Sequence, residues 1–464
     1  MTLARSNSVL LWLVAIGFFM QTLDATIVNT ALPAMAQALG ESPLHMQSVI
    51  VAYSLTMAMV IPASGWIADR FGTRRVYMAA MALFVVGSLL CALATSLNQL
   101  VLARIVQGGG GALLLPVGRL AVLRAFPREQ FLRAMSFVIL PGLLGPLLGP
   151  TLGGWMVEYV SWHWIFLVNV PVGAVGLLAT LRFMPEGPRV PAKRLDVAGY
   201  GMLAFAMVAV SLALEAASLL GLYGALALLL AGVASLLGYW RHALRRPDPL
   251  FSPELLALRS LRVGLMGNLF SRLGSACMPF LIPLVLQVCL DFSPMQAGMM
   301  MLPTVLASML VKRLGTALIQ RWGYRRTLVA NTCVLAVTIT SFALITPDQP
   351  LWLQIVQLLV FGATNSLQFT AMNTVTLKDL DAAHASSGNS LLSMVQMLAM
   401  GMGVAVAAAV LAGFQGLWGQ VGTQGSLQAF QATFACMGLM TLFSSTIFAR
   451  LDPPQARPVQ AQVT

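Results

Sequence analysis

Charged side chains are scarce in this sequence, since only 9% of its 464 residues are Asp, Glu, Lys or Arg. An ordinary soluble domain has roughly 25%. This shortage excludes a soluble enzyme, a disordered chain and a nucleic-acid-binding domain. The net charge of +12 does not indicate a nucleic-acid partner either, because Lys and Arg of a membrane protein collect in its cytoplasmic loops.

Cysteine and histidine are also few. The five cysteines are an odd number and form no CxxC pair, and the four histidines lie far apart along the chain. The sequence contains no HExxH, GxSxG or P-loop motif, which are signatures of metalloproteases, hydrolases and nucleotide-binding proteins. We therefore predict no disulfide framework, no metal site, no cofactor and no enzymatic activity.

Long apolar runs dominate instead, because 58% of the residues are hydrophobic. A helix needs about 20 predominantly apolar residues to cross a bilayer. These runs predict an all-α membrane protein with about fourteen transmembrane helices in a lipid bilayer. The predicted spans are 9–31, 47–67, 77–96, 100–123, 135–157, 163–183, 197–217, 219–240, 262–288, 295–319, 327–346, 351–376, 388–414 and 429–450.

Basic residues lie in one alternate set of the predicted loops. That set contains Arg70, Arg74, Arg75, Arg124, Arg128, Arg133, Arg182, Arg189, Lys193, Arg194, Arg241, Arg245, Arg246, Arg259, Arg262, Arg321, Arg325, Arg326 and Lys378. The other set has no Lys or Arg and carries Glu41, Glu158, Asp291 and Asp348. The positive-inside rule therefore predicts that the basic loops and both termini are cytoplasmic.

The chain repeats itself at an offset of 251 residues. Ser42-Pro43 recurs as Ser293-Pro294, and the hexamer RFGTRR at 70–75 recurs as RWGYRR at 321–326. We predict a six-helix half at 1–195, two linking helices at 196–245, a second six-helix half at 246–452 and a cytoplasmic tail at 453–464. Transporters built from such repeats bind substrate near the membrane midplane, between the halves.

Five sequence blocks resemble the major facilitator superfamily, and most of all its fourteen-helix drug:proton antiporter branch. They are LDATIVNTALP at 23–33, GWIADRFGTRR at 65–75, LARIVQG at 102–108, a glycine-rich stretch at 142–154 and WHWIFLVNVP at 162–171. One position departs from this pattern, because the second copy of the loop motif has Gln320 where the first has Asp69.

The resemblance implies a proton-coupled secondary transporter that exports small organic compounds by alternating access. It also implies a multi-pass protein of the bacterial inner membrane, with protons and a small molecule as partners. We expect a monomer, although the sequence leaves the oligomeric state open. An exporter of one specific metabolite or organic anion is the alternative, while a membrane-embedded enzyme or a channel is less favoured.

Two charges, Asp24 and Arg104, lie inside predicted spans, where charges are costly and usually functional. At 1.5 Å per residue, Asp24 lies about 8 Å below the outer face of a roughly 30 Å hydrocarbon core. Arg104 lies about 6 Å below the same face, so an ion pair is feasible. We interpret Asp24 as a proton-coupling group, because a desolvated carboxylate can hold a proton and release it when a cation approaches. The resemblance implies participation of Arg104 in proton transfer. The alternative is a static pair that locks the two helices together.

Three further groups are candidate site residues. The resemblance implies a cytoplasmic gate formed by Gly65, Asp69, Arg70, Gly72, Arg74 and Arg75. It also implies a helix-packing antiporter motif formed by Gly142, Gly145, Pro146, Gly149, Pro150, Gly153 and Gly154, whose glycines let another helix approach closely. Arg272, near the midplane, and Glu215 are candidate substrate-site residues.

Overall fold

The computed structural model describes residues 2–126, 128–186, 195–215, 221–380, 385–418 and 423–451, and every regular element in these ranges is a helix. The first part of the chain forms nine α-helices. They are α1 (Thr2–Ile27), α2 (Leu32–Leu39), α3 (Gln47–Val60), α4 (Ser64–Phe71), α5 (Thr73–Ala92), α6 (Leu97–Ala125), α7 (Arg128–Tyr159), α8 (Trp164–Leu167) and α9 (Asn169–Phe183).

Nine more helices follow. Two of them, α10 (Val197–Glu215) and α11 (Gly221–Arg245), occupy the segment predicted as linking helices and keep that name below. The others are α12 (Arg259–Ser275), α13 (Met278–Val288), α14 (Pro294–Met300), α15 (Leu302–Ser341), α16 (Leu351–Leu377), α17 (Ala385–Trp418) and α18 (Thr423–Phe448).

Twelve helical stretches of the described residues are long and apolar enough to cross a membrane, so the chain is an all-α membrane protein. The two other predicted spans fall on α7, which has 32 residues, and on α10, whose described apolar stretch is the shorter Val197–Ala213. The count of fourteen therefore stays a prediction. The predicted tail at 453–464 and the basic residues Arg189, Lys193 and Arg194 lie outside the described residues.

Several spans are longer or more broken than predicted. The first continues beyond residue 31 through a 3₁₀ turn (Val28–Ala31) into α2. Pro33 does not end it, because Pro33 stands in the first turn of α2, where a missing N–H is tolerated. The ninth predicted span is divided into α12 and α13.

The two copies of the basic hexamer adopt the same turn. Gly72 separates α4 from α5 with φ 88° and ψ 141°, and Gly323 interrupts α15 with φ 76° and ψ 164°. Residues with a side chain rarely adopt a positive φ, which explains glycine at both positions. Helix α15 therefore contains two spans that meet at this turn, as α4 and α5 do in the first copy.

The loops with Glu41, Glu158, Asp291 and Asp348 define the acidic end of the bundle, and those with the basic hexamers define the basic end. Near the acidic end one apolar cluster joins both parts of the chain, with Ile27, Leu32 and Leu100 from the first and Phe280 and Phe430 from the second. Toward the basic end each part has an apolar cluster of its own, and a further cluster joins α3, the helices α10 and α11 and the second part. The largest apolar cluster shared by the two parts thus lies near the acidic end.

The linking helices lie beside the junction of the two parts. Helix α10 contacts both α3 and α17. Leu203 and Met207 of α10 share an apolar cluster with Ala58 of α3 and Leu391 of α17. Helix α10 therefore bridges the first and second parts of the bundle.

Candidate functional site

Asp24 and Arg104, which were predicted to lie at matching depth, form a buried ion pair. Arg104 Nη1 on α6 lies 2.7 Å from Asp24 Oδ2 on α1. Asp24 is 0% exposed and Arg104 is 1% exposed. Helices α1 and α6 pack side by side, and this brings together two residues that are 80 positions apart.

Two amide side chains complete the coordination of Asp24. Gln107 Nε2 and Asn169 Nδ2 donate to Asp24 Oδ1 over 2.7 and 3.1 Å. Gln107 Nε2 also donates to Ser88 Oγ, while its Oε1 accepts from Arg104 Nη1 over 2.7 Å. The carboxylate therefore accepts three hydrogen bonds, one of them from a charged donor, which is the stronger kind.

The guanidinium of Arg104 has further neighbours. Its Nε donates to the Val49 carbonyl over 3.2 Å, and its Cζ lies 4.1 Å from the centre of the Tyr53 ring. Removing one partner of such a buried pair costs about 3–5 kcal/mol, because the other charge is left without compensation. The hydroxyl of Tyr53 and Oδ1 of Asn169 are buried without a hydrogen-bond partner among the described residues.

Sequence reasoning missed Gln107, Asn169 and Ser88. Gln107 and Asn169 stand in two of the sequence blocks, LARIVQG and WHWIFLVNVP, so a signal was present. Neither carries a charge, however, and only the packing of α1, α5, α6 and α9 directs these side chains toward one carboxylate.

The glycine-rich face of α7 packs against α1. A Cβ added at Gly145 would lie 2.3 Å from Thr22 Oγ1, and one at Gly149 would lie 2.2 Å from Thr26 Oγ1. Pro146 has no N–H and cannot bond the Gly142 carbonyl, and Thr22 Oγ1 donates to that carbonyl over 2.8 Å. The close helix approach predicted from the glycines is therefore the contact of α7 with α1. At this contact Thr22 also bonds the Gly142 carbonyl that Pro146 cannot bond.

The outer end of the same helix contacts the other part of the bundle. A Cβ at Gly154 would lie 2.2 Å from the Pro294 carbonyl oxygen, and one at Gly298 would lie 2.1 Å from that of Pro150. The backbone N–H of Met295 donates to Glu158 Oε2 over 3.0 Å. Helix α7 therefore packs tightly on both α1 and α14.

The loop motif at 65–75 makes its ion pairs within its own part of the chain. Asp69 Oδ1 lies 2.5 Å from Arg124 Nη2 at the end of α6. Arg74 lies 3.7 Å from Glu186 and donates to the Leu181 carbonyl. In this conformation neither Asp69 nor Arg74 is ion-paired with a described residue of the second part of the chain.

The remaining gate residues have smaller roles in this conformation. Arg70 lies with its Cζ 5.4 Å from the Trp66 ring centre, and Arg75 is exposed. A Cβ added at Gly65 would meet nothing within 4 Å, so close packing does not explain glycine there.

Arg272 lies apart from the Asp24 network. Its Nε donates to Asn268 Oδ1 over 3.4 Å, and its Cζ lies 4.7 Å from the Phe369 ring centre. Its Nη2 is buried without a hydrogen-bond partner among the described residues, as is Oε1 of Gln21. Gln21 occupies the equivalent position of the first repeat. Glu215 ends α10, but its side chain lies outside the described part of the structure.

A family comparison places the chain. Residues 14–404 match the family model described as Major Facilitator Superfamily. A protein of Serratia proteamaculans named "Putative multidrug resistance protein MdtD" is 50% identical over 443 residues, which are 95% of this chain and 93% of that protein. The protein of the same name from Pectobacterium atrosepticum is 47% identical over 445 residues, 96% of this chain and 95% of its own length.

Solved structures agree at the level of the fold. The POT family transporter PepTSo superposes with a TM-score of 0.72 at 14% identity, over 95% of this chain and 97% of its own. A D-xylose-proton symporter superposes with a TM-score of 0.69 at 13% identity, over 96% of this chain and 98% of its own. Because the family match spans most of the chain and relatives cover nearly all of it, this chain belongs to the major facilitator superfamily of membrane transporters and is not an enzyme.

Proposed function

We propose that this transporter exports small organic compounds in exchange for protons, by alternating access. The buried pair of Asp24 and Arg104 is the observation that carries the proposal. A carboxylate held at 0% exposure by an arginine and two amides is costly inside a membrane and usually marks an ion or proton pathway. The names of the curated relatives support small organic compounds as substrates.

The pair provides a mechanism for coupling. In the arrangement described above both oxygens of Asp24 accept hydrogen bonds, and Oδ2 faces the guanidinium of Arg104. Protonation of Asp24 cancels its charge and removes the attraction that holds Arg104 between α1 and α3. The packing of α1 then changes, and α1 contacts α7 along the glycine-rich face. Proton binding is thereby linked to a helix that packs on both halves.

The conformation fits an inward-facing state of the cycle. The cluster near the acidic end joins the two halves directly, while toward the basic end each half has a cluster of its own and α10 lies in the cluster that bridges them. In the opposite state the contact of α7 with α14 would open and expose Asp24 to water outside. The gate residues Asp69, Arg70, Arg74 and Arg75 would then exchange their present partners for contacts across the closed basic end.

The proposed topology has fourteen crossings with both termini cytoplasmic. It divides the chain into a half at 1–195, linking helices at 196–245, a half at 246–452 and a cytoplasmic tail at 453–464. The absence of Lys and Arg from the acidic loops supports this orientation. We propose a monomer in the bacterial inner membrane, in accordance with the bacterial relatives.

The substrate site of this proposal includes Arg272 and Gln21. They are equivalent in the repeat, and each has a buried polar atom without a partner among the described residues. Buried polar groups are normally paired, so a substrate is the natural partner for both. The cationic Arg272 favours an alternative in which the cargo is one organic anion. Glu215 remains a candidate only by its position at the end of α10.

The deciding experiment is transport by purified protein in liposomes under an imposed pH gradient. With an ethidium-type dye as probe, we expect uphill export by the wild type and loss of gradient dependence in Asp24→Asn. The control is Glu41→Gln, because Glu41 pairs with His45 at the surface and has no role in the proposal. Unchanged gradient dependence in Asp24→Asn would overturn the coupling role.

The anion alternative has its own measurement. Citrate and benzoate counterflow should be absent from the wild type if the cargo is cationic or neutral. It should be present, and abolished in Arg272→Gln, if the cargo is an organic anion. Asn268→Ala, which removes the neighbour of Arg272 without removing charge, is the matched control.

A further inference from the structure

A cavity of about 1040 Å³ lies between the linking helices and the second half. Helices α10 and α11 form one wall, and α12, α17 and α18 form the other. Its surface is almost entirely apolar, with side chains such as Leu203, Val210, Leu265 and Leu398. Such walls bind hydrocarbon and offer few hydrogen bonds to a polar solute.

The cavity opens toward the side of the bundle. Leu236 and Met266 line it and remain 52% and 45% exposed. In a membrane-spanning chain an apolar lateral opening faces lipid acyl chains rather than water. The proposed substrate residues Arg272 and Gln21 do not line the cavity.

Positive charge lies at one end of the same cavity. Arg259, Arg262 and Arg450 line it, and all three belong to the basic end of the bundle. Arg259 Nε donates to the Arg450 carbonyl over 2.9 Å, and Arg262 Nη1 to the Leu256 carbonyl over 3.5 Å. Among the described residues no carboxylate forms an ion pair with Arg262 or Arg450.

The charged end is built by fixed contacts. Tyr239 of α11 donates its hydroxyl to the Phe251 carbonyl over 3.0 Å and accepts from the Phe251 N–H over 2.9 Å. Asp196 accepts from the Leu250 N–H over 3.3 Å. These bonds hold the segment before α12 against the linking helices, so the mouth of the cavity is held in place.

We propose that this cavity binds one anionic phospholipid, with its acyl chains between the linking helices and the second half and its phosphate at Arg262 and Arg450. Basic pockets between transmembrane helices on the cytoplasmic side suit lipid headgroups of this charge. The apolar walls match the acyl chains, and the lateral opening admits the lipid from the bilayer. This lipid site is independent of the transport proposal.

Native mass spectrometry of the delipidated full-length protein tests the site, with phosphatidylglycerol and phosphatidylcholine of identical chains as probes. We expect one phosphatidylglycerol to bind roughly 30-fold more tightly than phosphatidylcholine, because two arginines contribute to the preference. A surface arginine is worth about 1 kcal/mol toward anionic lipid, which is roughly fivefold in affinity. The double variant Arg262→Gln, Arg450→Gln should therefore lose roughly 30-fold in phosphatidylglycerol affinity and bind phosphatidylcholine unchanged.

The charge-matched control is Arg321→Gln, Arg325→Gln, which removes two arginines of the basic end that do not line the cavity. It should retain the preference. Met266→Trp fills the cavity and should weaken both lipids without changing their ratio. The acyl-free headgroup glycerophosphoglycerol should not compete with the lipid. Three results would each overturn the proposal. They are equal binding of both lipids by the wild type, an equal loss of affinity in the charge-matched control, and competition by the free headgroup.

Discussion

At the scale of single residues, the buried carboxylate Asp24 organises the first half. Its partners come from α6 and α9, and Gln107 is the most connected of them, since it bonds Asp24, Arg104 and Ser88. Nε2 of this amide donates two hydrogen bonds and its Oε1 accepts one. Loss of this amide would leave a carboxylate and a guanidinium partly unpaired in a fully buried site.

We expect Gln107→Leu to destabilise the protein by about 1–3 kcal/mol, because it removes the amide and leaves buried polar groups unsatisfied. Ser88→Ala removes only one neutral partner and should cost less. Thermal unfolding of both variants in the same detergent measures the difference. A Gln107→Leu variant as stable as the wild type would contradict the network.

The ion pair of Asp69 and Arg124 makes a second prediction. Asp69→Asn removes one charge without changing size and should reduce transport several-fold while membrane insertion persists. Gln320→Ala, at the equivalent position of the second copy, should have little effect because that copy lacks the acid. Uptake in liposomes compares the variants. Equal losses would mean that both loops share one role.

At the scale of helices, the main feature of α7 is its close packing against α1. Gly145→Ala would bring a Cβ to within 2.6 Å of the Leu23 backbone nitrogen. We expect a loss of about 1–3 kcal/mol from overpacking, together with loss of transport. Gly413→Ala on α17 is the control, because a Cβ there meets nothing within 4 Å, and it should be neutral or stabilising. Thermal unfolding and liposome transport report both effects.

The loop before α10 is anchored by Asp196. Burial opposes its ionisation, but hydrogen bonds from His242 and the Gly199 N–H outweigh burial, so the pKa of Asp196 lies below its ordinary value of 3.8. Arg246 also faces the carboxylate at 3.6 Å. A carboxylate whose pKa is lowered by folding stabilises the folded state at pH values above its pKa in the unfolded chain. This stabilisation is lost as the pH falls through its pKa in the folded protein.

Asp196→Asn should therefore lower the unfolding temperature at pH 7. The loss should be of similar size at every pH down to about pH 5. The difference from the wild type should shrink as the pH falls below 3.8, the ordinary pKa at which the unfolded chain is protonated, and vanish below the lower pKa of the folded state. Differential scanning fluorimetry across this pH range is the measurement. A difference in unfolding temperature that grows as the pH falls would contradict a lowered pKa of Asp196 in the folded state. Asp248→Asn, in the next loop, provides a carboxylate control.

At the scale of the whole molecule, the proposed orientation in the membrane predicts which loops are accessible from outside the cell. In a background without Cys333 and Cys436, which are partly accessible, single cysteines can be placed at exposed positions. Ser42→Cys and Asp348→Cys should react with an impermeant maleimide in intact cells. Arg75→Cys and Asp379→Cys should react only after the membrane is permeabilised. External labelling of Arg75→Cys would reverse the proposed topology.

Much of the architecture follows from local sequence, because a membrane span requires an uninterrupted apolar run and a positive φ requires glycine. The helical class, most span positions and the equivalence of Gly72 and Gly323 depend on such local features. Depth along a helix follows from its rise per residue, which is why Asp24 and Arg104 could be expected at the same level.

The sequence by itself determined that the chain is an all-α membrane protein with a repeated basic loop motif, and it put Asp24 and Arg104 at matching depth. Only the tertiary structure decided which neutral residues surround them. Gln107 and Asn169 meet Asp24 because α6 and α9 pack against the same part of α1, and helix rotation is set by packing of many side chains. For the same reason only the tertiary structure paired Asp69 with Arg124 and enclosed the cavity beside the linking helices.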